Sequence, residues 1–214
     1  MFKKLLIVFS VSIFCLVAYS YWDNNKTTSS ASLSAFARVV TPAKNIDEFA
    51  LNESSKRIFN NDSLRGRWSF VFLGYTHCPD ICPTTLARFS AIYPQLKQLA
   101  KVQLVFISAD PLRDNVDDLH SYVSYFSDEF RGVTASHNKL YPFTQALYLP
   151  YTIVAEKKSE QYSVGHSASI ALIDPEGKLH AIFKPSYNVG DIPIINMQQL
   201  VKDFNLILNQ AKPS

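Results

Sequence analysis

The sequence predicts an α/β fold, a sandwich built on a mixed central sheet and preceded by one N-terminal transmembrane helix. Three observations point there. Residues 68–75 (WSFVFLGY) and 102–108 (VQLVFIS) are β-branched and aromatic runs of buried-strand length. Each is followed by apolar residues at helical spacing, and a hairpin pattern comes later, so strands alternate with helices before an antiparallel end. An uncharged run from Leu5 to Trp22 stands behind Lys3 and Lys4.

That run predicts a membrane anchor over residues 1–22, at the short end of the roughly 17–25 residues that span a bilayer. A cleaved signal peptide would end on small residues, whereas Tyr19, Tyr21 and Trp22 suit a membrane interface. Cys15 follows Phe14 in mid-run, without the small residue that a lipoprotein signal places before its cysteine, and reads as membrane-buried with no chemistry. Lysines on the short side predict a single-pass, N-in orientation in the inner (cytoplasmic) membrane, with the bulk of the chain in the periplasm or an equivalent compartment. Residues 23–40 open on the polar, short-chained stretch DNNKTTSSASLSAFA and read as a flexible linker. Residues 41–210 read as the folded domain.

Within that domain Gly74 closes the first buried strand. Pro83 to Ala100 carries Leu86, Phe89, Ile92, Leu96 and Leu99 at helical spacing, with Pro83 in the tolerated first turn and Pro94 removing one interior hydrogen bond. A second helix is predicted from Asn115 to Phe126, entered through the carboxylates Asp114, Asp117 and Asp118. A short strand at Gly132–Ala135, a helix at Asn138–Leu147 and a hairpin at Ser167–Phe183, turning on Asp174-Pro175-Glu176-Gly177, follow. Asp191 is the expected cap of a last helix whose core stripe is Met197, Leu200, Val201, Phe204 and Leu208.

The charge excludes one class of partner. The formal net charge of the 214-residue chain is +3, and residues 1–40 already hold Lys3, Lys4, Lys26 and Arg38 against Asp23, which leaves the domain neutral. A neutral domain has no electrostatic footprint for nucleic acid.

The chemistry concentrates in Cys78-Pro79-Asp80-Ile81-Cys82-Pro83, between a buried strand and a helix start, where unpaired backbone N–H groups lower a thiol pKa. In an oxidising compartment the pair implies a disulfide, a metal site, or both in turn. Three residues between the cysteines place them about one helical turn apart, so both sulfurs can face one ion from the same side. Of the five histidines, His77 adjoins Cys78, His120 falls on an exposed helix, His137 in a turn and His180 on a strand. His166 precedes an apolar strand and can share the cysteines' edge of the sheet, though a histidine at a strand entry is more often a hydrogen-bonding residue than a ligand. Asp110, Asp114 and Asp117 read as surface carboxylates or caps of the next helix.

The stretches FLGYTHCPDICPTTL, SADPLRDNVDDLHSYVSYF and VGHSASIALIDPEGKL resemble the Sco (SCO/SenC) family of membrane-anchored, thioredoxin-like copper proteins, from about Arg67 to the last helix. The resemblance implies a thioredoxin-like sandwich in which Cys78, Cys82 and His166 bind one copper ion, Cu(I) or Cu(II). It further implies a metallochaperone without turnover of its own that assists assembly of the binuclear copper centre in cytochrome c oxidase subunit II. The alternative is a thiol–disulfide oxidoreductase in which Cys78 and Cys82 reduce that subunit's cysteines. Other periplasmic copper chaperones and thioredoxin-like reductants are further expected partners. Two departures stand out: Gly165 occupies the place where the family often has Asp before the histidine, and residues 40–64 match the usual leading hairpin imperfectly.

Overall fold

The computed structural model describes residues 32–155, 162–187 and 192–211. The predicted anchor with Cys15, linker residues 23–31 and the expected cap Asp191 lie outside the described residues. Among the described residues no helix is long and apolar enough to cross a membrane.

The elements in chain order are β1 (Ala37–Lys44), β2 (Ala50–Glu53), β3 (Ile58–Asn60), α1 (Asn61–Leu64), β4 (Trp68–Gly74), α2 (Ile81–Leu99), β5 (Val102–Ser108), α3 (Val116–Ser124), β6 (Arg131–Thr134), α4 (His137–Ala146), β7 (Tyr151–Ala155), β8 (Tyr162–His166), β9 (Ile170–Ile173), β10 (Leu179–Phe183) and α5 (Met197–Ala211). Eight strands form one sheet in the order β1-β10-β9-β4-β5-β6-β2-β3, and β7 pairs with β8 in a separate two-stranded sheet. The large sheet is mixed, as the alternation of elements predicts: β4, β5 and β6 run parallel and the flanking pairs antiparallel.

The centre of the molecule is the β4–β5 pair, whose fourteen residues are all buried. Their composition allows nothing else, since strands covered on both faces read as continuous apolar runs. Phe70 meets Phe89 of α2 at 5.2 Å and Phe204 of α5 at 5.1 Å, both edge to face, which packs these two helices on one face of the sheet. The register pairs Trp68 with Val102 and Gly74 with Ser108, so both strands end at the same height and their loops emerge side by side.

The N-terminal boundary and two helix starts differ from expectation. β1 begins at Ala37, inside the stretch that composition assigns to the linker, because Ala37, Arg38 and Val39 pair with Phe183, Ile182 and Ala181. Before it, Ser34 donates from its backbone N–H at 2.9 Å and its hydroxyl at 2.5 Å to the buried Asp203 of α5. Asn115, rather than Asp114, caps α3, accepting from the Asp117 and Asp118 N–H groups. His137 opens α4 rather than lying in a turn, and at α5 Asn196 Oδ1 accepts from the Gln199 N–H.

Residues 41–66 divide between the two edges of the sheet. β1 lies on one edge, while β2 and β3 form a hairpin on the other. Arg131 of β6 holds that hairpin, donating at 2.6 and 2.8 Å to the buried Glu53 and at 2.9 Å to Gln103.

A truncated form starting at Leu33 is expected to melt about 5–10 °C higher than one starting at Thr41, the shift that roughly 2–3 kcal/mol produces in a domain of this size. The shorter form loses the Ala37–Val39 pairing and the Ser34–Asp203 bonds, and thermal unfolding followed by circular dichroism measures the difference.

Candidate metal centre

The loop leaving β4 turns at Tyr75, whose carbonyl accepts from the Cys78 N–H at 3.2 Å, and α2 begins at Ile81. Cys82 therefore sits in the first turn of α2 and Cys78 just before it. Cys82 is fully buried and Cys78 is 8% exposed, and both are free thiols. Gly74 makes the burial possible, because a Cβ at that position would lie 2.4 Å from the Cys82 Sγ and 2.8 Å from the Phe106 ring. The residue that reads as a strand terminator in the sequence is the floor on which a sulfur rests.

His166 ends β8, opposite Tyr151 in β7. Its ring stands edge-on to Phe72 at 6.3 Å and Tyr75 at 6.0 Å. Nδ1 lies 3.1 Å from the Ser167 carbonyl, which can only accept, so in the neutral ring the proton is on Nδ1 and the lone pair on Nε2. Nε2 lies 3.8 Å from the Cys78 Sγ and 3.5 Å from the Cys82 Sγ. The three donor atoms all lie within 4.8 Å of one another, and among the described residues no other cluster of three or more His, Cys, Asp or Glu donors comes so close.

The fit to a metal can be tested by geometry. An ion about 2.3 Å from two sulfurs and about 2.0 Å from a nitrogen in a trigonal plane sets the S–N separations at about 3.7 Å. The observed values bracket that figure without repacking. Two sulfurs and one imidazole suit a soft ion such as Cu(I), whereas Cu(II) favours a fourth ligand.

The electrostatics place one negative charge on the sulfur pair. The Cys82 S–H hydrogen-bonds the Cys78 sulfur and, despite the opposing effect of burial, helps hold the Cys78 thiol down at about 4, aided by the backbone N–H groups of Cys82 and Asp80. Cys82 moves the other way, because burial disfavours its charged form and its S–H is held by, and its ionisation opposed by, the neighbouring Cys78 thiolate. The metal-free site is then a thiolate beside a thiol.

The other histidines stay apart from this cluster. His77 is largely exposed, with Nδ1 3.0 Å from the Thr76 hydroxyl. His120 is exposed on α3, His137 bonds the Tyr151 hydroxyl at 2.9 Å, and His180 lies 3.5 Å from Asp174. Of the aspartates, Asp117 is exposed and pairs with Lys56, but Asp110 and Asp114 are buried, against the expectation of surface carboxylates. Asp114 accepts from the Thr76 N–H at 2.8 Å, the Thr76 hydroxyl at 2.5 Å and the Ser108 hydroxyl at 2.6 Å, which ties the cysteine loop to the end of β5. No sequence pattern flags this, since an aspartate before a helix reads as a cap. At Gly165 a Cβ would approach the Thr152 hydroxyl to 3.1 Å. The Ser167 carbonyl, not a neighbouring carboxylate, orients the ring.

The sequence model of the SCO1/SenC family matches residues 39–201. A protein of Stutzerimonas stutzeri, provisionally named as copper-binding, is 39% identical over 136 residues, covering 63% of this chain and 66% of the relative. The mitochondrial SCO1 homolog 1 of Arabidopsis thaliana is 31% identical over 144 residues, covering 66% of this chain and 42% of its own length. This chain thus spans less than two thirds of either curated relative. Among solved structures, Arabidopsis thaliana ScoI with copper bound superposes with a TM-score of 0.67 at 28% identity, covering 77% of this chain and 98% of that one.

The reduced, metal-free protein is expected to alkylate at Cys78 at a rate nearly flat between about pH 5 and pH 8, where an ordinary thiol gains several hundred-fold. The sign follows from the lowered pKa: the thiolate is already formed above about 4. Iodoacetamide labelling located by mass spectrometry measures it.

Proposed function

The chain belongs to the SCO1/SenC family, and we propose that it is a membrane-anchored copper chaperone that binds one copper ion through Cys78, Cys82 and His166. The observation that carries this reading is the convergence of two sulfurs and one imidazole nitrogen within 4.8 Å at one end of the β4–β5 pair. Copper displaces the proton held on Cys82, so uptake releases it, and the ion sits between two thiolates and the Nε2 lone pair. The tether is the apolar run Leu5–Trp22 behind Lys3 and Lys4, which holds the domain on the periplasmic face of the inner membrane. From there it delivers copper to the binuclear centre of cytochrome c oxidase subunit II. Support for that client comes from family membership and from the ligand set suited to Cu(I).

The depressed Cys78 pKa favours a second reading of the same site. In it, the Cys78 thiolate attacks a client disulfide, forms a mixed disulfide and releases one client thiolate. Cys82 then displaces the second client sulfur, leaving the client reduced by two electrons and this protein as a Cys78–Cys82 disulfide. A thioredoxin-like reductant restores the dithiol.

The imidazole separates the two readings, because exchange needs only the sulfurs. The full-length protein is expected to bind one copper per chain when reduced and none after mild oxidation, until a reductant is added. In cells, His166→Ala is expected to lower assembled oxidase nearly as much as Cys78→Ser under copper limitation, with partial relief by excess copper. Its copper affinity should fall by more than the roughly 10–100-fold that loss of an outer-shell partner costs. Assembled oxidase, read by its absorbance and activity, at the wild-type level in His166→Ala at low copper favours the reductase.

A further inference from the structure

Among the described residues, the β7–β8 hairpin that carries His166 has no strand pairing with the large sheet. No strand ladder fixes the position of the imidazole over the sulfurs. Side chains must do so: Phe72 and Tyr75 stand against the ring, and His137 bonds Tyr151 across from it, but the start of β8 is held from the loop between β5 and α3. That loop is a tight turn in which the Arg113 and Asp114 N–H groups donate to the Asp110 carbonyl at 3.2 and 2.9 Å. Asp114, at its C-terminal end, grips Thr76, two residues before Cys78. Asp110, at its N-terminal end and 1% exposed, accepts from the Tyr162 hydroxyl at 2.5 Å, and Tyr162 is the first residue of the strand that ends on His166. Arg113 joins the two sides. It pairs with Asp110, and its guanidinium carbon lies 4.0 Å from the Tyr162 ring centre and 5.7 Å from that of Tyr75, next to Thr76 on the cysteine side.

We propose that Asp110, Arg113 and Tyr162 are positioning residues that set where the His166 Nε2 sits relative to the two sulfurs, while Asp114 holds the cysteine arm to the same loop. The ligand arms are 84 and 88 residues apart in sequence, and one five-residue turn fastens both. A guanidinium that lies against two tyrosine rings and pairs with a buried carboxylate joins both ligand arms through one side chain. Releasing it leaves the sulfurs in place and lets the hairpin drift, so the third donor is lost from the average structure. The consequence for copper rests on the function proposed above, but the geometric claim does not.

Two measurements on the full-length protein in detergent test this separately. In the metal-free state, Arg113→Gln is expected to speed amide hydrogen exchange at Ser163 and Gly165, which pair with Val154 and Thr152 across the hairpin, at least about tenfold while leaving β4 and β5 unchanged, as local opening of one unit does. Competition with a chromophoric chelator should give a Cu(I) affinity lower by roughly 10–100-fold in Arg113→Gln, the range for outer-shell partners. Tyr162→Phe, which keeps the ring and removes only the hydroxyl, should shift both readouts in the same direction by less. Adding Arg113→Gln to His166→Ala should cause no further loss of affinity, because Arg113 acts through the imidazole. Unchanged exchange in Arg113→Gln, or an equal loss of affinity with and without His166, overturns the proposal. Should the parent bind no copper, the function proposed above fails, and the exchange data still decide the positioning role.

Discussion

The parallel, in-register pairing of β4 with β5 is the constraint on which the rest of the molecule depends. Seven residue pairs end together at Gly74 and Ser108, so the cysteine loop and the 110–114 loop leave the sheet as neighbours. From that coincidence follow the Asp114–Thr76 bonds, the seating of Cys82 against Gly74, and the reach of Asp110 and Arg113 across to Tyr162. A buried parallel pair with helices packed against it also gives the rigidity that a ligand set gathered from distant parts of the chain requires. Neither Cys78 nor His166 is held by a regular ladder of the large sheet, and the stiffness of the site is borrowed from the strands beneath it.

The charge distribution suits the handling of a soft cation. The domain beyond residue 40 is neutral in sum, and the sulfur pair holds one negative charge beside a helix N-terminus whose N–H groups favour it. One proton remains to be displaced, and Cys82, on which it sits, is the more buried of the two. Metal and proton therefore compete for the inner sulfur, while Cys78, 8% exposed and the less buried of the two, carries the charge. The same asymmetry serves metal transfer and disulfide exchange, which is why the imidazole, and not the thiols, distinguishes them.

Much of this was legible in the sequence, for physical reasons that differ by element. β4, β5 and the β9–β10 hairpin are readable because buried strands and Asp-Pro-Glu-Gly turns have strong local signatures, and the large sheet is mixed as their order implies. Cys78 and Cys82 stand out by residue type and spacing, and the structure brings His166 to them. β2 and β3, with four and three residues, are too short for a periodic pattern. β1 is hidden by its partly exposed edge position, so Ala37–Val40 resemble linker until Phe183 and its neighbours are seen across from them. The β7–β8 hairpin and the buried Asp110 and Asp114 depend on contacts many residues away, and an aspartate before a helix looks the same whether it caps that helix or anchors a loop beneath a metal site.

X-ray absorption at the copper K-edge of the Cu(I)-loaded protein tests the central claim most directly. The account predicts a three-coordinate ion with two sulfur scatterers and one imidazole nitrogen, and in His166→Ala the loss of the imidazole shell with both sulfurs retained. A parent spectrum without an imidazole shell, or one that His166→Ala leaves unchanged, contradicts it.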